Sequence, residues 1–297
     1  MKTLMLTLIC CASVLTATAA AVAQVRMVAS TSDLAYFARE LGGGLVEVES
    51  IAHPTADVHF VEIRPSYMVK VRKADVVLKV GLELDKWMDQ IVGGSRNGKA
   101  IVVDCSKYVQ PMEVPDFKVD ARHGDLHRFG NPHYWLTPAN VEPITDAIVE
   151  ALSKADPGNE DRFRESQKNL LSRLEAGLDE LADTIEMLKD VEMVTYHNSW
   201  PYFNAYVGLA AAGFVEPYPG VPPSPSHVKE LTSLIRERGI RIIGVEPYFD
   251  RRVPDRIAQE TGAKVVILYP SVGGRVENET YLDWLTGNVN ALVEALR

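Results

Sequence analysis

PGNEDRFRESQKNLLSRLEAGLDELADTIEML, residues 157–188, is the stretch on which the reading of this chain turns. Asp156 ahead of it can cap a helix, and Pro157 fits the first helical position. Glu160 and Asp161 fall where the helix dipole favours negative charge, while Gly158 is a weak point in the first turn. Apolar residues recur at Leu171, Leu174, Leu178, Leu181, Ile185 and Leu188, steps of three and four that put them on one narrow face. At about 1.5 Å per residue the helix would run roughly 45 Å, longer than one small domain needs. A coiled-coil segment or a long surface helix carries the same pattern. The sequence on both sides favours a strut joining two lobes.

Ahead of the strut, Val25–Ser30, Val46–Ile51, Asp75–Val80 and Ala100–Asp104 are short β-branched runs that read as strands. Ser32–Leu41, Ser66–Lys73 and Leu84–Val92 between them read as helices. The same grammar returns after the strut. Glu192–Tyr196, Ala212–Val215, Ile240–Val245 and Lys264–Leu268 are strand-like; Ser199–Tyr206, Ser226–Arg238 and Pro254–Thr261 are helix-like. Strands alternating with helices predict parallel sheets covered by helices. The fold class expected is therefore α/β, two lobes each with its own core, joined by one long rigid helix. Ligands bind such sheets at the carboxyl ends of the strands, which would line a cleft between the lobes.

The length of 297 residues is enough for two cored domains. A formal charge of −9 leaves no electrostatic footprint for a nucleic acid. Residues 1–23 read as a signal peptide: Lys2, an apolar run from Leu4 to Leu15, and Ala21-Val22-Ala23 as the cleavage site. Cys10 follows Ile9 rather than a small residue, which favours a soluble exported protein over a lipoprotein. Cleavage after Ala23 also removes Cys11 and leaves Cys105 alone, so neither an internal disulfide nor a cysteine metal site is possible. The organisation expected is residues 24–155 as an N-terminal lobe, 156–190 as the linking helix and 191–297 as a C-terminal lobe.

Of seven histidines, three share a setting. His59 lies in Asp57-Val58-His59-Phe60, His133 in Asn131-Pro132-His133-Tyr134-Trp135-Leu136, and His197 in Thr195-Tyr196-His197-Asn198-Ser199-Trp200-Pro201. Each precedes a helix-like segment and is hemmed by aromatics and proline. Their wide separation rules out a zinc finger. Converging from distant loops, three imidazoles would make a nitrogen site suited to zinc; spacing this wide is by itself a weak signal, and a lone histidine is more often structural or solvated. Tyr108–Pro132 has little periodicity and holds His123, Asp125, His127 and Arg128. It reads as a solvated loop, or as a scavenging loop that holds metal weakly and adds little to tight binding. His53 is a candidate for support of the site; His227 is expected to be solvated, and Trp135 and Trp200 to be packing groups.

Together these segments resemble the metal-binding motifs of the zinc/manganese solute-binding proteins of ABC transporters, the cluster A-I binding proteins. Gly81-Leu82-Glu83-Leu84-Asp85-Lys86-Trp87, Pro223-Ser224-Pro225-Ser226 and Glu246-Pro247 are similar to further motifs of that family, and the likeness covers nearly the whole mature chain. The resemblance implies metal held by His59, His133 and His197, with His197 favouring Zn2+ over Mn2+. It implies a periplasmic protein, expected to be monomeric, that hands its divalent ion to an ABC importer permease and is not an enzyme. Two departures stand out. Asn131 and Thr137 replace acids around His133, and Leu268-Tyr269-Pro270-Ser271-Val272-Gly273 lacks the carboxylate that commonly supplies a fourth ligand. Water or Glu246 is left to fill that place. The alternative is a periplasmic zinc hydrolase, with three histidines, an open position and Glu62, Glu216 or Glu246 as base; no His-Glu-x-x-His pattern supports it.

Overall fold

A computed structural model describes residues 24–119 and 127–297. The expected signal peptide, and His123 and Asp125, lie outside the described residues. Eight short strands, seven of them with β-branched residues, form two parallel four-stranded sheets among the described residues. The first holds β1 (Val25–Ala29), β2 (Val46–Ser50), β3 (Val76–Lys79) and β4 (Ile101–Asp104) in the order β2-β1-β3-β4. The second holds β5 (Glu192–Thr195), β6 (Ala210–Phe214), β7 (Ile242–Val245) and β8 (Lys264–Ile267) in the order β6-β5-β7-β8. The two orders are the same, so the lobe-to-lobe similarity of the sequence is a similarity of topology. In each sheet the strand order reverses beside the first strand, and that is where a crevice opens at the strand ends. Central strands β3 and β7 are nearly all buried, as strands covered on both faces must be.

The crossovers begin and end where the chain offers caps. Helix α1 (Ser32–Gly42) starts at Thr31, whose hydroxyl accepts from the Leu34 N–H, and stops at Gly43, φ 51°. Helix α2 (Pro65–Lys73) packs against β1 and against α3 (Lys86–Ser95). Before α3, Gly81, Leu82 and Glu83 all have positive φ, and the buried Asp85 carboxylate accepts from the Val80 and Gly81 N–H groups at 2.7 and 3.0 Å. A Cβ at Gly81 would sit 2.0 Å from Asp104 Oδ1, so this turn requires glycine. Beyond the strut, α6 (Pro201–Val207), α7 (Pro225–Arg238) and α8 (Arg252–Thr261) match the expected helices to within two residues. The Pro-Ser-Pro motif is the start of α7: Ser224 caps the His227 N–H at 3.2 Å and Pro225 takes the first position.

Two further helices were not read from the sequence. Helix α4 (Val141–Ala155) carries Pro143, which reads as a breaker but lies in the first turn, where no intrahelical acceptor is needed. Helix α9 (Tyr281–Ala295) contains Gly287, Asn288 and Asn290, poor helix formers that hide its period. Its capping box, Thr280 with Asp283, starts it.

The strut is present as a 3₁₀ turn, Pro157–Asn159, and then α5 (Glu160–Glu186). Its buried face differs from the expected stripe. Phe163, Leu170, Leu174, Gly177 and Leu181 are buried, while Leu171 and Leu178 lie only partly so. The reason is that α5 packs along α1, α4 and α9, which cover it from more than one direction, so no single narrow seam forms. The cores also differ from expectation. One cluster runs from the first sheet through α4, α5, α6 and α9 to Met193, Ile242 and Val266 on one face of the second sheet. Only the opposite face of that sheet has a core of its own, built from residues such as Val194, Leu231, Ile243 and Ile257.

Candidate metal centre

The second sheet and the loops of the first converge on three histidines. His59 lies between β2 and α2, His133 just ahead of a 3₁₀ turn at Tyr134–Leu136, and His197 between β5 and α6. Their rings are 5.0 to 5.4 Å apart between centroids in all three pairings, and one ligand nitrogen from each falls within 4.8 Å of the others. His133 and His197 are 2% and 4% exposed, so water does not compete for them from most directions.

Each imidazole is held by its Nδ1. The Asp57 Oδ1 accepts from both the His59 backbone N–H and its Nδ1–H, at 2.9 and 2.8 Å. Asn131 repeats this two residues before His133, accepting from the backbone N–H at 3.1 Å and from Nδ1–H at 2.9 Å. His197 Nδ1 pairs with the Glu216 carboxylate at the end of β6. With Nδ1 as the protonated nitrogen, Nε2 carries the lone pair on each ring. The Nε2 atoms of His59 and His133 are buried and have no hydrogen-bond partner. Burial holds His133 well below the usual histidine range, so it is neutral and ready to coordinate. At Asp57 burial is the largest effect and works upward, but the His59 side-chain and backbone hydrogen bonds and the charges of His59 and His197 together outweigh it, and the carboxyl ends below its usual value.

The departures around His133 have local consequences. Asn131 keeps the acceptor an acid would supply but no charge, and its amide donates to Glu113 Oε2 at 3.1 Å and to the Asn198 carbonyl at 2.8 Å. Thr137 caps the following turn at Ala139. Glu246, left open above as a fourth ligand, does not join the group. Its Oε1 accepts from Ser199 Oγ at 2.7 Å and Trp200 Nε1 at 2.9 Å. Burial pushes its carboxyl up to about 8. It holds up the segment behind His197 instead.

The described part of the Tyr108–Pro132 loop is exposed over much of its length, as expected, but its end turns inward to the site. The His127 ring stacks on His59 at 5.5 Å, and burial, then the neighbouring His59, takes it down to about 3. Glu113, His127, Asn131, His133 and His197 line one small cavity of about 40 Å3. His53 stays exposed with Nδ1 on Thr55, away from the site. His227 is not solvated but half-buried, its Nε2 on the Phe214 carbonyl at the end of β6. Trp135 and Trp200 are packing groups as expected, both 1% exposed. Asp57, Glu113 and Glu216 were not singled out as supports. For Asp57 a signal existed, since Asp-x-His and Asn-x-His share one spacing.

The chain is similar to known metal-binding proteins. A family model described as the periplasmic component A of a zinc-uptake complex, ZnuA, matches residues 27–295. The high-affinity zinc uptake system protein ZnuA of Bacillus subtilis is 23% identical over 258 residues, 84% of this chain and 81% of its own. The manganese-binding lipoprotein MntA of the same organism is 28% identical over 290 residues, 92% of this chain and 90% of its own. A crystal structure of ZnuA superposes with a TM-score of 0.76 at 23% identity, covering 92% of this chain and 98% of that one. A manganese-bound periplasmic metal-binding protein from Candidatus Liberibacter asiaticus gives 0.77 at 20% identity, covering 92% and 100%. At such identities the two structures establish the fold.

Proposed function

We propose, for a chain that belongs to the ZnuA family of periplasmic zinc-uptake components, that its cargo is Zn2+, held by His59, His133 and His197. The family is one of metal-binding solute-binding proteins and not of enzymes. That removes the hydrolase alternative, whose bases are also spoken for: Glu216 on His197, Glu246 on Ser199 and Trp200, and Glu62 in an exposed pair with Arg64. Relatives carry names for zinc and for manganese alike, so the choice of metal rests on the donors. The observation that carries it is the convergence of three imidazoles, with no cysteine or carboxylate among the gathered ligand atoms of the described residues. Imidazole nitrogen suits zinc, whereas manganese asks for oxygen.

On this reading residues 1–23 direct export and are cleaved after Ala23, and the protein acts in the periplasm as a monomer. Residues 24–155, 156–190 and 191–297 serve as lobe, linking helix and lobe. An ABC importer permease receives the ion. The test is elemental analysis of purified protein with competitive titration of Zn2+ against Mn2+. One zinc per chain is expected, held far more tightly than manganese. His59→Ala, His133→Ala and His197→Ala should each weaken zinc binding by orders of magnitude; wild-type titration in all three would refute the assignment.

A further inference from the structure

Tetrahedral zinc takes four donors, and three gather here. The places the sequence offers for a fourth do not join the group. Glu246 lies outside it, with Oε1 held by Ser199 and Trp200 and only Oε2 left without a partner. Between β8 and α9 the segment Tyr269–Gly273 has no acid, and its backbone is in use: the Pro270 carbonyl accepts from Trp135 Nε1, and the Val272 N–H binds Asp33. A carboxylate or carbonyl from that side would require breaking these bonds.

What reaches the site is the segment leading into His133. His127 Nε2 is buried and has no hydrogen-bond partner, the same condition as His59 Nε2 and His133 Nε2 beside it. A buried polar nitrogen without a partner costs free energy, and three such atoms on neighbouring rings are not accounted for by packing. The ring lies flat on His59, 25° from parallel, and shares a cavity wall with His133 and His197. It stands just outside the tight group of three, over His59. The residues that follow it are held in place. Arg128 Nε donates to Glu83 Oε2 at 3.1 Å, on the turn before α3. Gly130, φ 108°, bends the chain back so that the Asn131 N–H reaches the Met112 carbonyl at 2.8 Å. At Gly130 a Cβ would meet that carbonyl oxygen at 2.8 Å, so the bend has been kept free of a side chain.

We propose that His127 is the fourth zinc ligand, moving from its stack on His59 to place Nε2 on the ion and close an all-imidazole site. This rests on the three-histidine reading above. In closing, His127 takes the position water would otherwise hold, and it sets the preference for zinc over manganese by offering nitrogen where a carboxylate would offer oxygen.

The experiment uses the mature full chain with His127→Ala and His127→Gln, next to His59→Ala. Zinc affinity is read by chelator competition and the donor set by the visible spectrum of the Co2+ form. Both His127 variants should still bind one zinc, weakened at least about tenfold, the loss that even an outer-sphere change produces. Their Co2+ bands should shift as solvent replaces nitrogen, and added imidazole should restore the His127→Ala spectrum. Their zinc-over-manganese preference should fall. Wild-type affinity in both variants overturns the proposal, as does weakened affinity with an unchanged Co2+ spectrum, which would mean a merely structural role. Either result leaves the three-histidine reading standing if His59→Ala still loses zinc.

Discussion

Asp57 and Glu216 put two carboxylates behind His59 and His197, while Asn131 behind His133 brings none. Two negative charges behind neutral ligands match a divalent ion, and a hydrogen-bonded carboxylate raises the basicity of the imidazole it orients. Glu216→Gln keeps an oxygen for His197 Nδ1 but removes one of these charges. It should lower zinc affinity roughly 10- to 100-fold without changing the stoichiometry, measured by chelator competition; unchanged affinity would mean the charge at Glu216 is irrelevant to the ion. The three histidines could be read from the sequence because each sits in a turn stiffened by proline and aromatics. Glu216 could not be paired with His197 that way, since only the pairing of β5 with β6 brings their ends together. His127 was read only as part of a scavenging loop, and its place beside His59 was not legible, because its segment has no period of its own and is set by contacts with distant turns.

At the scale of elements, all eight strands were legible: seven are short runs with β-branched residues bounded by turns, and β6, Ala-Ala-Ala-Gly-Phe, was read from the run into Val215. The strut was legible too, but not its partners. A stripe of leucines says that a face is buried and not what covers it. Gly177 in α5 shows the difference: a Cβ there would lie 2.1 Å from Leu282 Cδ2 of α9. Alanine gains about 1 kcal/mol in helix propensity over glycine. Forcing a methyl into a filled contact costs about 1–3 kcal/mol. Gly177→Ala should therefore be neutral to destabilising by about 2 kcal/mol in urea unfolding, and adding Leu282→Ala should recover the propensity gain. A plainly stabilised single variant would show that α9 does not press on α5. Asn288 explains why α9 itself was hidden. It is buried, accepts from the Tyr269 N–H at 2.9 Å and donates to the Tyr269 carbonyl at 3.0 Å. A residue that lowers local helix propensity is kept for a tertiary bond.

Across the whole molecule the two sheets are joined by more than the strut. The start of α1 grips the segment after β8: Ser32 Oγ donates to the Val272 carbonyl and Asp33 Oδ1 accepts the Val272 N–H, both at 2.9 Å. From there Pro270 reaches Trp135 Nε1, two residues from His133, so this junction underlies the metal centre. Asp33 is 1% exposed, its Oδ2 has no partner, and burial, opposed by the Val272 N–H and reinforced by the Glu279 carboxylate, raises its carboxyl to about 7. Glu279 is itself buried and paired with Arg275 at 3.0 Å. A folded value of about 7 against 3.8 unfolded means the folded chain holds this proton more tightly. The contribution to stability is then full below about pH 4 and is lost as pH rises through 7, up to about 4 kcal/mol over the span. Asp33→Asn cannot titrate. Urea unfolding of the metal-free wild type and of this variant, from pH 4 to 8, should show wild type losing stability relative to the variant up to about pH 7 and no further above it. The buried amide of the variant adds a constant cost and does not alter that shape. A difference independent of pH would show that Asp33 titrates as it does in the unfolded chain, and that the junction beneath His133 carries no buried proton.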